Sequence, residues 1–362
     1  MIRVALVGIG NCASSLIQGL RYYGDASAVA SSGLMSPLIG RWRVADIQIV
    51  AAFDVDSRKV GLPLEQAIFA DPNCAMRFVG EIPLSGVLVQ MGPVLDGIAD
   101  HMEEFAPEQS FRVATAEPVN VAEVLAAAKA DVLVCYLPVG SERAVHYYAE
   151  ECLKSGVAMV NCVPVFVASS PIWARRFLEA GIPIIGDDVK SQLGATILHR
   201  SLARLFVDRG VNVRRTYQIN TGGNTDFLNM LDRSRLRSKK VSKTEAVQSE
   251  LPMRLHSDNV HIGPSDYVSW QKDNKIAFIR VEGEGFGGMP IELELRLSVQ
   301  DSPNSAGVVI DAIRCAKLGL ERGLAGPLVD PSSYYMKSPP QQFEDSIARD
   351  KVASFIKDPQ IG

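Results

Sequence analysis

Six short and almost wholly apolar runs punctuate the first 190 residues of this 362-residue chain, at 3–8, 47–55, 86–92, 131–138, 157–164 and 183–188. A strand with one face in water alternates apolar and polar side chains. Runs rich in Val and Ile that lack this alternation need cover on both faces. The segments 119–129, 141–154 and 172–179 carry apolar residues at helical spacing and would supply that cover. Strands that alternate with helices and are covered on both sides assemble as a doubly wound parallel sheet, so the expected fold class is α/β of the Rossmann type.

The texture changes after residue 190. A helix is expected over 191–209, followed by longer polar strands, a basic segment and glycine-rich turns. Ile291, Leu293, Leu295, Leu297 and Val299 alternate with Glu, Glu, Arg and Ser, the pattern of a strand with one wet face. This region reads as an inserted α+β domain over 191–304. Residues 305–321 then read as a helix starting after the turn residues Asp301-Ser302-Pro303-Asn304. The Pro-rich tail from 327 reads mostly as loop and returns to the first domain, which therefore comprises 1–190 plus 305–362. A chain of this length exceeds what one hydrophobic core usually serves.

A net charge of −4 gives no overall attraction for nucleic acid and points to a small-molecule partner. Six cysteines without a CxxC pair fit reduced thiols, and no apolar stretch approaches the ~18 residues of a membrane span. The expectation is a cytoplasmic, soluble protein with no membrane or nucleic-acid partner.

The first run leads into Gly8-Ile9-Gly10-Asn11-Cys12-Ala13 and then a helix-like stretch, the context in which glycines allow close approach of a pyrophosphate to a helix N-terminus. Gly8, Gly10 and Asn11 are candidate NAD-binding residues. Asp54 ends the second run, where a carboxylate would reach the ribose, although it lies about 40 residues beyond the glycines rather than the usual ~20. It reads equally as a turn aspartate. The insertion over 24–40 accounts for the extra length and is expected to close over the adenosine end. Asp187 and Asp188, in Gly186-Asp187-Asp188-Val189-Lys190-Ser191, stand at a carboxyl end of the sheet and read as a polar site or a helix cap. Thr221-Gly222-Gly223-Asn224-Thr225-Asp226 forms a second acidic turn. Lys239 and Lys243 lie four apart in a basic segment and share a face if it is helical, where they could hold a phosphate, be solvated or meet nucleic acid. The histidines show no metal spacing, and His256 and His261 are expected to be structural.

With Gly8-Ile9-Gly10-Asn11, the 186–191 and 222–226 motifs, Ser238-Lys239-Lys240-Val241-Ser242-Lys243, Asp301-Ser302-Pro303-Asn304-Ser305-Ala306-Gly307 and Tyr335-Met336-Lys337-Ser338-Pro339 in order, the chain resembles the inositol-1-phosphate synthase family in its compact actinobacterial form. The resemblance implies an NAD-dependent isomerase acting on glucose 6-phosphate, first in inositol and phosphatidylinositol biosynthesis. Its reaction oxidises C5, enolises C6, closes the ring onto C1 and reduces the ketone again, with no net redox change. By resemblance the catalytic residues are Lys239, Lys243, Lys275, Lys337, Asp188 and Asp226. Ser191, Asp226, Lys239, Tyr148, Ala128 and Asp301 would lie near NAD. A divalent metal or monovalent cation near the nicotinamide is implied without an identity, as is a homotetramer built through the second domain's sheet. Rival readings are an ordinary NAD(P)-dependent dehydrogenase, which would accumulate NADH, and a nucleotide sensor that turns nothing over.

Overall fold

The computed structural model describes residues 1–24 and 33–357, without the side chains of 236–240 and 264. Its strands are β1 (Ile2–Val7), β2 (Ile47–Asp54), β3 (Val89–Met91), β4 (Val132–Cys135), β5 (Ala158–Asn161), β6 (Pro183–Ile185), β7 (Asn212–Gly222), β8 (Val260–Tyr267), β9 (Asn274–Glu284), β10 (Pro290–Gln300) and β11 (Gly326–Pro327). Seven of them form a parallel sheet in the order β11-β6-β5-β4-β1-β2-β3. The order reverses direction between β1 and β4, which opens a crevice at the carboxyl ends of those strands.

Alternation along each strand decides which helix covers which face. Val4 and Leu6 of β1 pack with Leu16 of helix Asn11–Gly24 and Val309 and Ile313 of helix Asp301–Glu321. Ala5 and Val7 point the other way, among Leu125, Val145, Ala149 and Phe177 of helices Val121–Ala127, Glu142–Ser155 and Pro171–Glu179. Both faces are covered, as uninterrupted apolar strands require.

The second sheet runs β10-β9-β7-β8, antiparallel except for β7 with β8. Ala277, Ile279 and Val281 of β9 pack with Ala195 and Phe206 of helix Ala195–Asp208. Leu293, Leu295 and Leu297 of β10 join this core from its margin and are only partly buried. No helix among the described residues is long and apolar enough to cross a membrane.

Four expectations need correction. The helix expected at 305 begins at Asp301, because Pro303 lies in a first turn whose N–H groups have no intrahelical acceptors, so proline forfeits no bond. It covers the first sheet, so an element of that layer starts inside the range 191–304 given to the second. The helix expected from 191 begins at Ala195. Residues 192–193 instead exchange bonds with Asn304, Gln192 N–H donating to its carbonyl (2.9 Å) and Leu193 N–H to its side-chain oxygen (3.0 Å). The run 86–92 yields only the three-residue β3. The tail contains helices Val329–Tyr335 and Asp345–Lys357 rather than mostly loop. Of the segment 24–40, residues 25–32 lie outside the described residues. Beyond them, Arg314 holds the carbonyls of Ser36 (2.7 Å), Pro37 (3.2 Å) and Trp42 (3.3 Å).

Candidate active site

The glycine turn sits at the crevice. Gly8 has φ +85°, and a Cβ there would stand 2.7 Å from the Tyr136 carbonyl oxygen, so backbone conformation and close approach both demand glycine. A Cβ on Gly10 would meet nothing within 4 Å. The first glycine is therefore required by the fold, whereas the second leaves open room beside the first turn of helix Asn11–Gly24. Asn11 lines the same cleft but turns its side-chain oxygen to the N–H groups of Cys74 (2.6 Å) and Ala75 (2.8 Å).

The acidic motif after β6 is knitted to the C-terminal segment. Asp187 and Ser338 exchange backbone bonds at 3.0 Å each way, Lys337 N–H donates to the Asp188 carbonyl (2.7 Å), and Lys190 N–H to that of Tyr335 (2.8 Å). The neighbouring aspartates do different work. Asp187 is fully buried and accepts from Asn161, Val167, Ala168 and Ser169, fixing the loop after β5. Burial pushes its carboxyl up to about 6 against those bonds. Asp188, at φ +63°, turns into the cleft, accepting from Lys337 Nζ (2.7 Å) on one oxygen and Ser242 Oγ (2.7 Å) on the other. Neither caps a helix.

A second ammonium–carboxylate pair faces it. Lys275 Nζ at the start of β9 donates to Asp301 (3.1 Å) at the start of helix Asp301–Glu321. Burial works to lower Lys275, but Asp301, Asp226 and Asp188 outweigh it and hold the ammonium above its ordinary range. Behind the pair, buried Asp273 accepts from Ser302 N–H (3.1 Å), Ser302 Oγ (2.8 Å) and Asn224 Nδ2 (2.9 Å), and desolvation followed by Asp301 pushes it up to about 6. Asn224 in turn caps helix Thr225–Asn229, which carries Asp226.

The structure thus gathers Gly10, Asn11, Asp188, Ser191, Asp226, Lys243, Lys275, Asp301 and Lys337 around one cleft. The cleft is partly open to solvent. Lys239 and Lys243 lie four apart in helix Arg237–Gln248, as their spacing predicts. Lys243 is buried in the cleft wall, while the side chain of Lys239 lies outside the described residues.

Three expected cofactor contacts are not brought to this cleft. Asp54 accepts from the N–H groups of Ile9 (2.7 Å), Val55 (2.7 Å) and Asp56 (2.9 Å), with the buried Lys59 ammonium 4.0 Å away. Its carboxylate braces the glycine turn. Ala128 lies at the opposite end of the sheet, its carbonyl taking Arg3 Nε at 2.8 Å beside the start of β1. Tyr148 is 2% exposed in the core, its ring 6.0 Å from that of Phe53. Among the described residues no group of three or more His, Cys, Asp or Glu is placed to hold a metal ion. Asp301, the residue nearest to that expectation, is paired with Lys275. His256 and His261 do not line the cleft, and the His256 ring accepts from Asp258 N–H (3.3 Å).

Sequence reasoning missed the support behind the site. Lys190, 2% exposed, donates to the Ser333 carbonyl (2.9 Å) and Asp345 (3.1 Å). Asp345 also takes Arg200 Nε (2.8 Å), and Arg200 pairs with Glu250. Burial drives the Lys190 ammonium down to about 8. No local motif links these four positions. Asp273 was equally silent, although its place two residues before Lys275 on one strand edge was a usable clue.

Residues 194–302 match the family model described as myo-inositol-1-phosphate synthase. Over 361 residues the chain is 54% identical to the inositol-3-phosphate synthase of Corynebacterium glutamicum, covering 98% of each chain. Identity and coverage are the same for the inositol-3-phosphate synthase of Mycolicibacterium smegmatis. Among solved structures it is similar to the crystal structure of Ari2, 34% identical over 99% of each chain with a TM-score of 0.77. It also shares its fold with a myo-inositol-1-phosphate synthase-related protein from Thermotoga maritima, at 23% identity, 98% coverage of each chain and a TM-score of 0.76.

Proposed function

The chain belongs to the inositol-3-phosphate synthase family and is an NAD-dependent isomerase that converts glucose 6-phosphate to inositol 3-phosphate; we propose that it does so in the cleft between its two sheets, with Lys243, Lys275 and Lys337 as the cationic groups. The observation that carries this assignment is the convergence of two ammonium–carboxylate pairs, Lys337–Asp188 and Lys275–Asp301, on the cleft that holds the glycine turn.

The residues present fit the dinucleotide. Gly8 shapes the turn, the space at Gly10 admits a pyrophosphate, and the first turn of helix Asn11–Gly24 offers it N–H groups. Bound NAD supplies a reversible hydride acceptor that ends each turnover as it began.

Closing an aldehyde sugar phosphate into a ring places negative charge on oxygen at several carbons beside a phosphate dianion. Fixed ammonium groups in a partly desolvated cleft stabilise such charge because they are already oriented before it develops. Lys275, held in its charged form by three carboxylates, acts as a permanent cation rather than a proton carrier. Lys337 is oriented by Asp188, which Ser242 fixes from the other side. Asp226 sits opposite, within the field of Lys275. Ser191 and Lys239 complete the proposed contacts with cofactor and substrate.

The reading extends to a cytoplasmic homotetramer assembled through the outer face of the second sheet. There Ile219 and Phe278, adjacent in register, are 42% and 43% exposed. To test the activity, purified protein is incubated with glucose 6-phosphate and substoichiometric NAD, with products followed by phosphorus NMR and NADH by absorbance. Inositol phosphate in excess of NAD with no lasting NADH is expected. Stoichiometric NADH would instead make the enzyme a dehydrogenase.

A further inference from the structure

Tyr136 directly follows β4 and lines the cleft, yet its hydroxyl is buried with no hydrogen-bond partner among the described residues. A buried phenol normally finds a partner, because losing water without replacement costs the full desolvation of the group. Here the backbone of the residue is committed while its polar tip is not. The Tyr136 N–H donates to the Val7 carbonyl at 2.8 Å, and its own carbonyl forms the surface against which Gly8 turns. The ring is thereby anchored to the glycine turn.

Two features select the ligand. In a doubly wound sheet each half holds one nucleoside, so the carboxyl end of β4, the first strand beyond the reversal, belongs to the half opposite β1–β3 and hence to the nicotinamide side. Burial, followed by the neighbouring Cys162 and Cys12, raises the phenol well above its ordinary range, so the group stays protonated and is available as a donor.

We propose that the Tyr136 hydroxyl donates a hydrogen bond to the nicotinamide nucleoside of bound NAD, an inference that rests on the NAD reading above. It makes Tyr136 a cofactor-recognition residue in a part of the chain where the sequence shows only an apolar strand end.

The test is Tyr136→Phe, which removes one oxygen and keeps the ring. Calorimetric titration is expected to show NAD binding weakened roughly five- to tenfold, the loss of one neutral hydrogen bond. AMP, which lacks the nicotinamide half, should bind both proteins equally. The thermal midpoint without ligand should be equal to or above that of the wild type, since the variant removes a group with no internal partner. Three results would each overturn the proposal: an NAD affinity within twofold of wild type, a ligand-free midpoint that falls, or a raised KM for glucose 6-phosphate at saturating NAD with NAD affinity intact. The last result would give the hydroxyl to the sugar. If the wild type itself binds no NAD, the functional reading fails and the proposal fails with it.

Discussion

Single side chains in the cleft wall carry sharply different assignments, and their partners tell them apart. Asp187 and Asp188 are indistinguishable in sequence, yet one braces a loop with both oxygens and the other faces Lys337 in the cleft. Lys337→Ala should lower kcat by about 10²–10³-fold while NAD still binds, as measured by steady-state kinetics beside titration. His199 supplies a test in pH. It is fully buried, its Nε2 2.6 Å from Thr216 Oγ1, which itself donates to the Arg280 carbonyl (2.6 Å), so the ring donates from Nε2, while its Nδ1 lies 3.4 Å from Gln218 Oε1. Burial lowers its pKa from 6.5 to about 4. The unfolded chain then binds the extra proton first, and the stability associated with His199 is present above pH 6.5 and lost as pH falls through 4. The loss is on the order of 3 kcal/mol. Urea unfolding of His199→Gln should therefore depend less steeply on pH across this window than the wild type does. Asp187, raised to about 6, acts with the opposite sign: its contribution is present below pH 3.8 and lost as pH rises through 6.

Elements were legible in proportion to how local their signals are. The buried strands β1, β2, β4, β5 and β6 stood out because uninterrupted Val and Ile have few other uses, and the turn at Gly8 because its chemistry is contained in six residues. The two glycines of that turn should respond differently to alanine. Gly8→Ala should cripple folding, since φ +85° and the Tyr136 carbonyl both oppose a Cβ, whereas Gly10→Ala should leave the ligand-free thermal midpoint unchanged and weaken NAD binding at least tenfold. The C-terminal helix was missed for the opposite reason. Ala348, Val352 and Phe355 do form a helical stripe at i, i+4 and i+7, but the prolines just before it dominate the local reading. What anchors the helix is Asp345, which meets Lys190 and Arg200 from 155 and 145 residues away. Removing Asp345 takes away the carboxylate paired with the buried Lys190 ammonium, while Arg200 keeps Glu250. Asp345→Ala should therefore cost about 3 kcal/mol in chemical denaturation and disturb the Lys337 segment that the same contacts support.

At the scale of the whole molecule, alternation and period gave the two layers and their type. They could not give the cleft, because its walls come from positions 10, 188, 243, 275, 301 and 337, which only the chain's path through both sheets brings together. The family resemblance supplied the proposed catalytic set, while Lys190 became visible only through its burial and partners and Tyr136 only through its buried, unpartnered hydroxyl. Assembly is tested at the same scale. Phe278→Lys on the outer face of the second sheet should convert a tetramer seen by light scattering into smaller species. An unchanged mass would remove that face from the interface.

Helix Asp301–Glu321 directly follows the last strand of the second sheet in sequence but belongs to the first in space, with residues 305–316 buried without interruption. During synthesis this has a consequence for order. A nascent chain of 300 residues already contains β1 to β6 and the whole second sheet, but lacks the helix that covers one apolar face of the first and the strand β11 that closes its edge. Co-translational folding of the nucleotide-binding layer is therefore held incomplete until the insertion has left the ribosome, and fragments that stop before residue 301 carry an uncovered hydrophobic surface that makes them clients for chaperones.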